Sequence, residues 1–530
     1  MLEELLKKIK AVFWFLPGFL MWAAFPPMGE KIDILFALSP LIWLSRRADP
    51  LTSAKRWFQS GIFFWAATLS WMPAIVKNGG PWPLVALGWG ALSAYMAAYF
   101  AAYGCLSAKI WGWARRSYPR RLVAILLLEP VLWCGLELVR STAFGGFAWN
   151  QLGVVAVNGG FGAPASLGGV YLVSAAVFLV NGSFAGIFER MFTRGGDCRV
   201  PRWLQSGETI LAFALVFAVY AFAPAVTAVE TRPLKVAMVQ RNFPCAFKDN
   251  HDRPYEIYSR LIDNVSILRP DVVVLGESAM CEFGPVDQRG AADFAEWVAK
   301  KTGASLIAGG TRYADGNTYN SAAAYSGFDS SPLSPRIDVY DKVHLVPFGE
   351  YIPGDKLIPA LQKFAPVGSC TPGELKLLEV GGVKTAVAIC FEDTDSRQMR
   401  RLAEMGAELL VFITNDSWFS HSDEALQHAW QAVARAVETG LPVVRAGNSG
   451  VTGVVSADGR ASWLLDADGK ALVDKAGTMF DKIDCPVRPA PTPYVRFGDK
   501  PLAIAFVLLI SGMILVKYRN EYEKRRDLSL

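Results

Sequence analysis

The feature that most limits what this chain can become is a train of apolar stretches. They lie at about 11–27, 32–45, 57–76, 82–107, 122–140, 166–189 and 208–228, with an eighth at 500–517. Most approach the roughly 20 residues that a helix needs to cross a bilayer; the second is the shortest. The fourth is rich in small residues, among them Gly88, Gly90, Ala91, Ser93, Ala94, Ala97 and Ala98, which predicts close approach of a neighbouring helix there. With only 19% charged residues in 530, and 17 tryptophans and 16 tyrosines available for interfacial belts, the composition fits a membrane protein.

Charge on the connections alternates. Lys7, Lys8 and Lys10 precede the first stretch, and Arg46, Arg47, Lys55 and Arg56 separate the second from the third. Lys109, Arg115, Arg116, Arg120 and Arg121 follow the fourth; Arg190, Arg194, Arg199 and Arg202 follow the sixth; Lys517, Arg519, Lys524, Arg525 and Arg526 follow the last. The intervening connections carry only Lys31, Lys77 and Arg140. Basic loops stay cytoplasmic, so the pattern predicts eight spans with both termini cytoplasmic. A basic start before a short apolar core also resembles a signal peptide, whose removal would leave the later topology unchanged.

Residues 229–495, between the seventh and eighth stretches, are then extracytoplasmic. Strand-like runs at 234–240, 271–276, 305–309, 383–389, 409–414, 442–445 and 451–456 alternate with helical runs at 255–268, 291–301 and 425–439. That alternation predicts one α/β domain, and the Asp458-Gly459 and Asp468-Gly469 turns predict hairpins near its end. The expected domains are therefore a helical membrane part at 1–228, a catalytic part at 229–495, and a final span with a basic tail at 496–530. No basic run interleaved with aromatics reads as a nucleic-acid surface. Eight cysteines and four histidines show no metal-ligand spacing, so no metal or cofactor is expected.

Three stretches of the soluble block carry reactive groups. GVKTAVAICFED (382–393) is an apolar strand ending on Cys390, followed by a helical run from about Arg397 to Met405. The positive end of that helix is expected to favour a thiolate. DVVVLGE (271–277) ends on Glu277, and YDKVHLVPFGEYIP (340–353) holds Lys342 and Glu350. Singly, each is most simply a buried thiol or a surface charge. Together they supply a base, a cation and a nucleophile, the parts for acyl transfer through a thioester. His344, His421 and His428 have no partner spacing and read as structural.

Glu277, Lys342 and Cys390, in this order, resemble the Glu-Lys-Cys triad of the nitrilase superfamily. KVHLVPFGEYIP, ICFED and TNDSWF (414–419) further resemble the apolipoprotein N-acyltransferases, the membrane-embedded members of that superfamily. The resemblance implies eight spans and an extracytoplasmic α-β-β-α domain in a bacterial inner membrane. It also implies transfer of the sn-1 acyl chain of a phospholipid, usually phosphatidylethanolamine, to the α-amine of a diacylated apolipoprotein by a ping-pong route, in a monomer. Supporting roles follow for Glu350, paired with Lys342, for Glu392, bracing the nucleophile loop, and for the Phe391 amide at the oxyanion. Trp149 and Trp418 become candidate substrate contacts. A segment from Phe348 to Pro366, with Ile352, Leu357, Ile358, Leu361 and Phe364, is expected to form an apolar arm near the bilayer.

Three departures stand out: Leu275-Gly276 where the family has Trp-Pro, Phe391 in place of tyrosine, and Ala148 in place of proline in GGFAWNQLG (145–153). The rival reading is a membrane-tethered amidase of the same triad with water as acceptor. Cys245, Cys281, Cys370 and Cys485 would share the oxidising compartment, which permits disulfides among them.

Overall fold

The computed structural model describes residues 14–192, 202–224, 230–243, 254–328, 335–354 and 370–528. Lys7, Lys8, Lys10, Arg194, Arg199 and Cys198 lie outside the described residues. The chain separates into two compact units, one of Met1–Leu69, Gly90–Ala223 and Phe497–Leu530, the other of Ser70–Trp89 and Pro224–Arg496.

The first unit is helical. Among the described residues, four helices are long and apolar enough to cross a membrane: Trp82–Ala114, Tyr118–Arg140, Ala165–Phe192 and Lys500–Glu523. The 32–45 stretch is not one helix; it forms a 3-10 turn, Lys31–Leu35, and a seven-residue helix, Ser39–Ser45, with proline in its first turn. The stretch at 57–76 is displaced: its helix spans Pro50–Thr68, because Asp49 caps it by accepting from the Leu51 and Thr52 amides and Pro50 opens it. Composition marks apolar length but not where a helix starts.

Close packing falls on part of the small-residue stretch, where Ser93 and Ala97 are buried. A Cβ added at Gly88 or Gly90 would meet nothing within 4 Å, whereas at Gly104 it would strike the Trp57 ring at 2.5 Å. Trp57 leads an aromatic cluster with Tyr103 (4.4 Å) and Trp133 (5.9 Å). A buried ion group (Arg46 and Arg121 with Glu189, and Arg121 with Glu208) ties four further segments together.

In the second unit two six-stranded sheets stack. The first has the order β12-β1-β2-β3-β4-β5, from β1 (Thr231–Gln240), β2 (Val272–Leu275), β3 (Ser305–Ala314), β4 (Asn317–Ser326), β5 (Arg336–Asp341) and β12 (Gly477–Pro486). The second has the order β11-β10-β9-β8-β7-β6, from β6 (Leu378–Val380), β7 (Val383–Ile389), β8 (Leu409–Thr414), β9 (Val443–Gly447), β10 (Gly453–Val455) and β11 (Ala461–Trp463). Strands β1–β3 and β7–β9 are parallel, and the outer pairings are antiparallel. β8 is buried along its whole length and β7 everywhere but at Lys384, as strands covered on both faces must be.

The core between the sheets includes Val236, Val274, Ile307, Val387, Ile389, Val411 and Val444. Helices α1 (Pro254–Ser266) and α2 (Arg289–Thr302) cover the first sheet through Tyr258, Ile262, Phe294 and Val298. α3 (Ser396–Glu404) and α4 (Glu424–Thr439) pack on the second. The layering is α-β-β-α.

Candidate active site

Cys390 follows β7 directly, but the backbone there differs from the simple strand-to-helix passage expected. Cys390 opens a 3-10 turn, Cys390–Thr394, and α3 begins only at Ser396, capped by Asp395. Cys390 has φ +53°, a left-handed conformation uncommon outside glycine. The helix dipole does not yield a thiolate either. Burial and the Glu277 carboxylate push the thiol well up, and the Lys342 ammonium only partly opposes them. The group at rest is a thiol that needs a base.

Glu277 stands just past β2, with its amide donating to the Thr414 carbonyl of β8 at 3.3 Å. This close approach explains one departure in the sequence: a Cβ at Gly276 would sit 2.7 Å from the Asn448 amide nitrogen. The neighbouring Leu275 is 1% exposed in the core beneath α1 and α2. Burial raises the Glu277 pKa above the ordinary carboxyl value and Glu350 adds to the rise, while Lys342 opposes it. A raised carboxyl is a better base for a reluctant thiol.

Lys342 follows β5 and is 1% exposed. Its ammonium donates to Glu350 Oε1 at 2.9 Å and lies 3.9 Å from Glu277 Oε1. Burial alone would lower its pKa, but Glu350 and Glu277 outweigh that and keep it charged. Asn320 on β4 bridges the two acids, donating to Oε1 of Glu277 and of Glu350 at 2.7 Å each. Glu350 Oε2 accepts from the Val346 amide at 2.7 Å, which closes the turn carrying Phe348. Lys342 and Asn320 together overcome the burial that would raise Glu350, and its pKa falls.

Glu392 is fully buried, not a surface carboxylate. Oε1 accepts from Tyr340 Oη, the Val343 amide and the His344 amide, and Oε2 accepts from the Ile389 amide, all within 3.0 Å. The turn bearing Cys390 is thereby tied to the segment bearing Lys342. Phe391 packs edge-on against His344, with centroids 5.4 Å apart. Trp418 is half-buried, its carbonyl accepting from Asn78 at 2.8 Å. Trp149 is 2% exposed and stacks with Phe147 inside the first unit, so its ring is packed away from solvent and headgroups.

Of the expected arm, Phe348 is 67% exposed with φ +64°, whereas Ile352 is buried. Leu357, Ile358, Leu361 and Phe364 lie outside the described residues, as does Cys245. Cys281, Cys370 and Cys485 are free thiols.

Sequence reasoning passed over two things. Asn320 follows the Asp315-Gly316 hairpin turn between β3 and β4, a signal present in the sequence. His428, set aside for want of partners, sits among Asp393, Asp416, Glu424 and Arg445, drawn from four places along the chain. Asp416, Glu424 and His428 have ligand atoms within 4.8 Å of one another, a spacing that suits a metal. Burial would lower the His428 pKa, yet Asp393 and Asp416 raise it to about 10.

Residues 235–477 match the carbon-nitrogen hydrolase family model. The second unit is thus a nitrilase-type domain, as its two stacked sheets are. Residues 17–183 match the model described as the apolipoprotein N-acyltransferase N-terminal domain. Among curated relatives, the apolipoprotein N-acyltransferase of Geobacter metallireducens is 31% identical over 87% of this chain and 87% of its own. That of Shewanella oneidensis is 28% identical over 96% of each. A carbon-nitrogen hydrolase structure from Helicobacter pylori is 20% identical, covering 48% of this chain and 90% of its own, with a TM-score of 0.36. The chain belongs to the apolipoprotein N-acyltransferase family.

Proposed function

We propose that this protein N-acylates apolipoproteins through a thioester on Cys390. What supports the reading is that a raised carboxyl, Glu277, lies 3.9 Å from a buried ammonium, Lys342, and that both groups act electrostatically on the Cys390 thiol. Glu277 takes the Cys390 proton as sulfur attacks the sn-1 ester carbonyl of a phospholipid, phosphatidylethanolamine by family resemblance. Lys342 and the Phe391 amide hold the oxyanion. The C–O bond then breaks, the lysophospholipid alkoxide takes the proton back from Glu277, and the acyl chain stays on sulfur. Next, the α-amine of a diacylglyceryl-cysteine attacks the thioester and yields its proton to Glu277. The C–S bond breaks, and the returning proton restores the thiol. A thioester is activated relative to both ester and amide, so no nucleotide is needed.

Glu350 holds Lys342 in position, and Glu392 fixes the nucleophile turn; neither exchanges a proton with substrate. Of the two tryptophan candidates for substrate contact, Trp418 is half-buried and Trp149 is buried. The alternating basic connections support eight spans with both termini cytoplasmic; the bacterial inner membrane and the monomeric state follow from the family resemblance alone. The same connections likewise support a membrane part at 1–228, a catalytic part at 229–495 on the outer side, and a final span at 496–530.

The test against the amidase reading is incubation with phospholipid, with and without a diacylated peptide. Acylated peptide, with little free fatty acid in its absence, is expected. Fatty acid release at the same rate whether or not peptide is present would favour the hydrolase.

A further inference from the structure

Beneath the nucleophile turn lies a set of charges that the transfer steps leave unused. His428 on α4 meets Asp416 Oδ1 through Nδ1 and Asp393 Oδ1 through Nε2, each at 3.0 Å. Arg445 on β9 reaches Asp393 Oδ2 at 2.5 Å and Asp416 Oδ2 at 3.4 Å. All four side chains are at most 2% exposed. Apolar residues of similar volume often stabilise a core as well as such a network does, so stability alone is a poor account of it.

A further contact gives the network a place in the chemistry: His428 Nε2 lies 3.3 Å from the carbonyl oxygen of Cys390. In a trans peptide the C=O and the next N–H point in opposite directions. The peptide joining Cys390 to Phe391 therefore has its carbonyl drawn down onto His428 and its amide turned to the other side. The residue so held is the one with φ +53°, a conformation that persists only where surroundings impose it.

We propose that His428 is a positioning residue, whose ring grips the Cys390 carbonyl and so aims the Phe391 amide at the oxyanion of acyl transfer. The role rests on the thioester reading of Cys390. With both ring nitrogens protonated, Nδ1–H donates to Asp416 and Nε2–H to the Cys390 carbonyl, with Asp393 Oδ1 an ion-pair neighbour of Nε2 at 3.0 Å. A carbonyl that accepts from a cation also makes its own peptide's N–H a stronger donor.

Two rates measured on the full-length protein separate this role from simple support of the fold. Alkylation of Cys390 by iodoacetamide requires a reachable sulfur but no oxyanion, whereas acylation by phosphatidylethanolamine vesicles requires both. In His428→Leu, acyl-enzyme formation is expected to fall about a hundredfold or more while alkylation stays within about threefold. His428→Gln, which restores an N–H donor, is expected to regain at least about tenfold of that loss. Should the leucine variant not fold, Asp416→Asn is expected to give the same split on a smaller scale, about five- to tenfold. Acylation within about threefold of wild type in a folded variant, or parallel loss of both rates, would overturn the proposal. A wild-type protein that alkylates but never forms a thioester would refute the parent reading instead.

Discussion

Replacing Lys342 by methionine removes the one ammonium shared by Glu277 and Glu350. Its nitrogen is 2.9 Å from Glu350 and 3.9 Å from Glu277. At an effective dielectric constant of about 20, those contacts are worth about 6 and about 4 kcal/mol before desolvation is counted. Desolvation offsets most of this, and removing one partner of a buried pair costs about 3–5 kcal/mol in practice. For a domain of this size that loss lowers the unfolding temperature by roughly 6–20 °C. Glu350→Gln should cost less, because Glu277 remains beside the ammonium. The double variant Lys342→Met/Glu350→Gln should be more stable than the summed single losses by at least about 2 kcal/mol. Acylation should drop about a hundred- to a thousandfold in Lys342→Met and stay low in the double variant, since the oxyanion partner is still missing. Thermal unfolding in detergent and single-turnover acylation measure the two effects. Losses that add to within about 0.5 kcal/mol, or acylation regained in the double variant, would refute both the pairing and the role given to Lys342.

Glu392→Ala strands four buried donors, from Tyr340, Val343, His344 and Ile389, and should destabilise by more than about 3 kcal/mol in thermal unfolding. Because burial raises Glu277, the acylation rate should climb with pH to a midpoint above the ordinary glutamate value of about 4.3, and Glu277→Gln should abolish that limb. A limb persisting in the glutamine variant would count against Glu277 as base. Burial would raise Asp395, but His344 and Arg397 hold it below the usual carboxylate range, so its support of α3 is complete above the unfolded value of about 3.9 and lost as pH falls. The gap in unfolding temperature between wild type and Asp395→Ala should accordingly shrink on acidification from neutrality to about pH 3.

What the sequence made legible was set by period and by local chemistry. β2 is an unbroken apolar run and β7 is apolar but for Lys384 and Thr385, and Glu277 and Cys390 stand just past them, so acid and thiol could be placed from composition. β12 has mixed polarity and gains its identity from a partner far along the chain, as when Thr231 pairs with Pro486. Nothing local marks such a pairing. His428 was passed over for the same reason, since the groups around it come from the turns after β7 and β8, from β9 and from α4 itself. In the helical unit, apolar length was plain, but the break between Lys31–Leu35 and Ser39–Ser45 depends on packing that hydropathy does not encode.

One measurement bears on the whole account most directly: intact-protein mass spectrometry after exposure to phospholipid without an acceptor. The expected result is a mass increase of one acyl chain on Cys390, released by neutral hydroxylamine and absent in Cys390→Ala. An unmodified wild-type protein under turnover conditions, or an adduct that survives the alanine substitution, would contradict it.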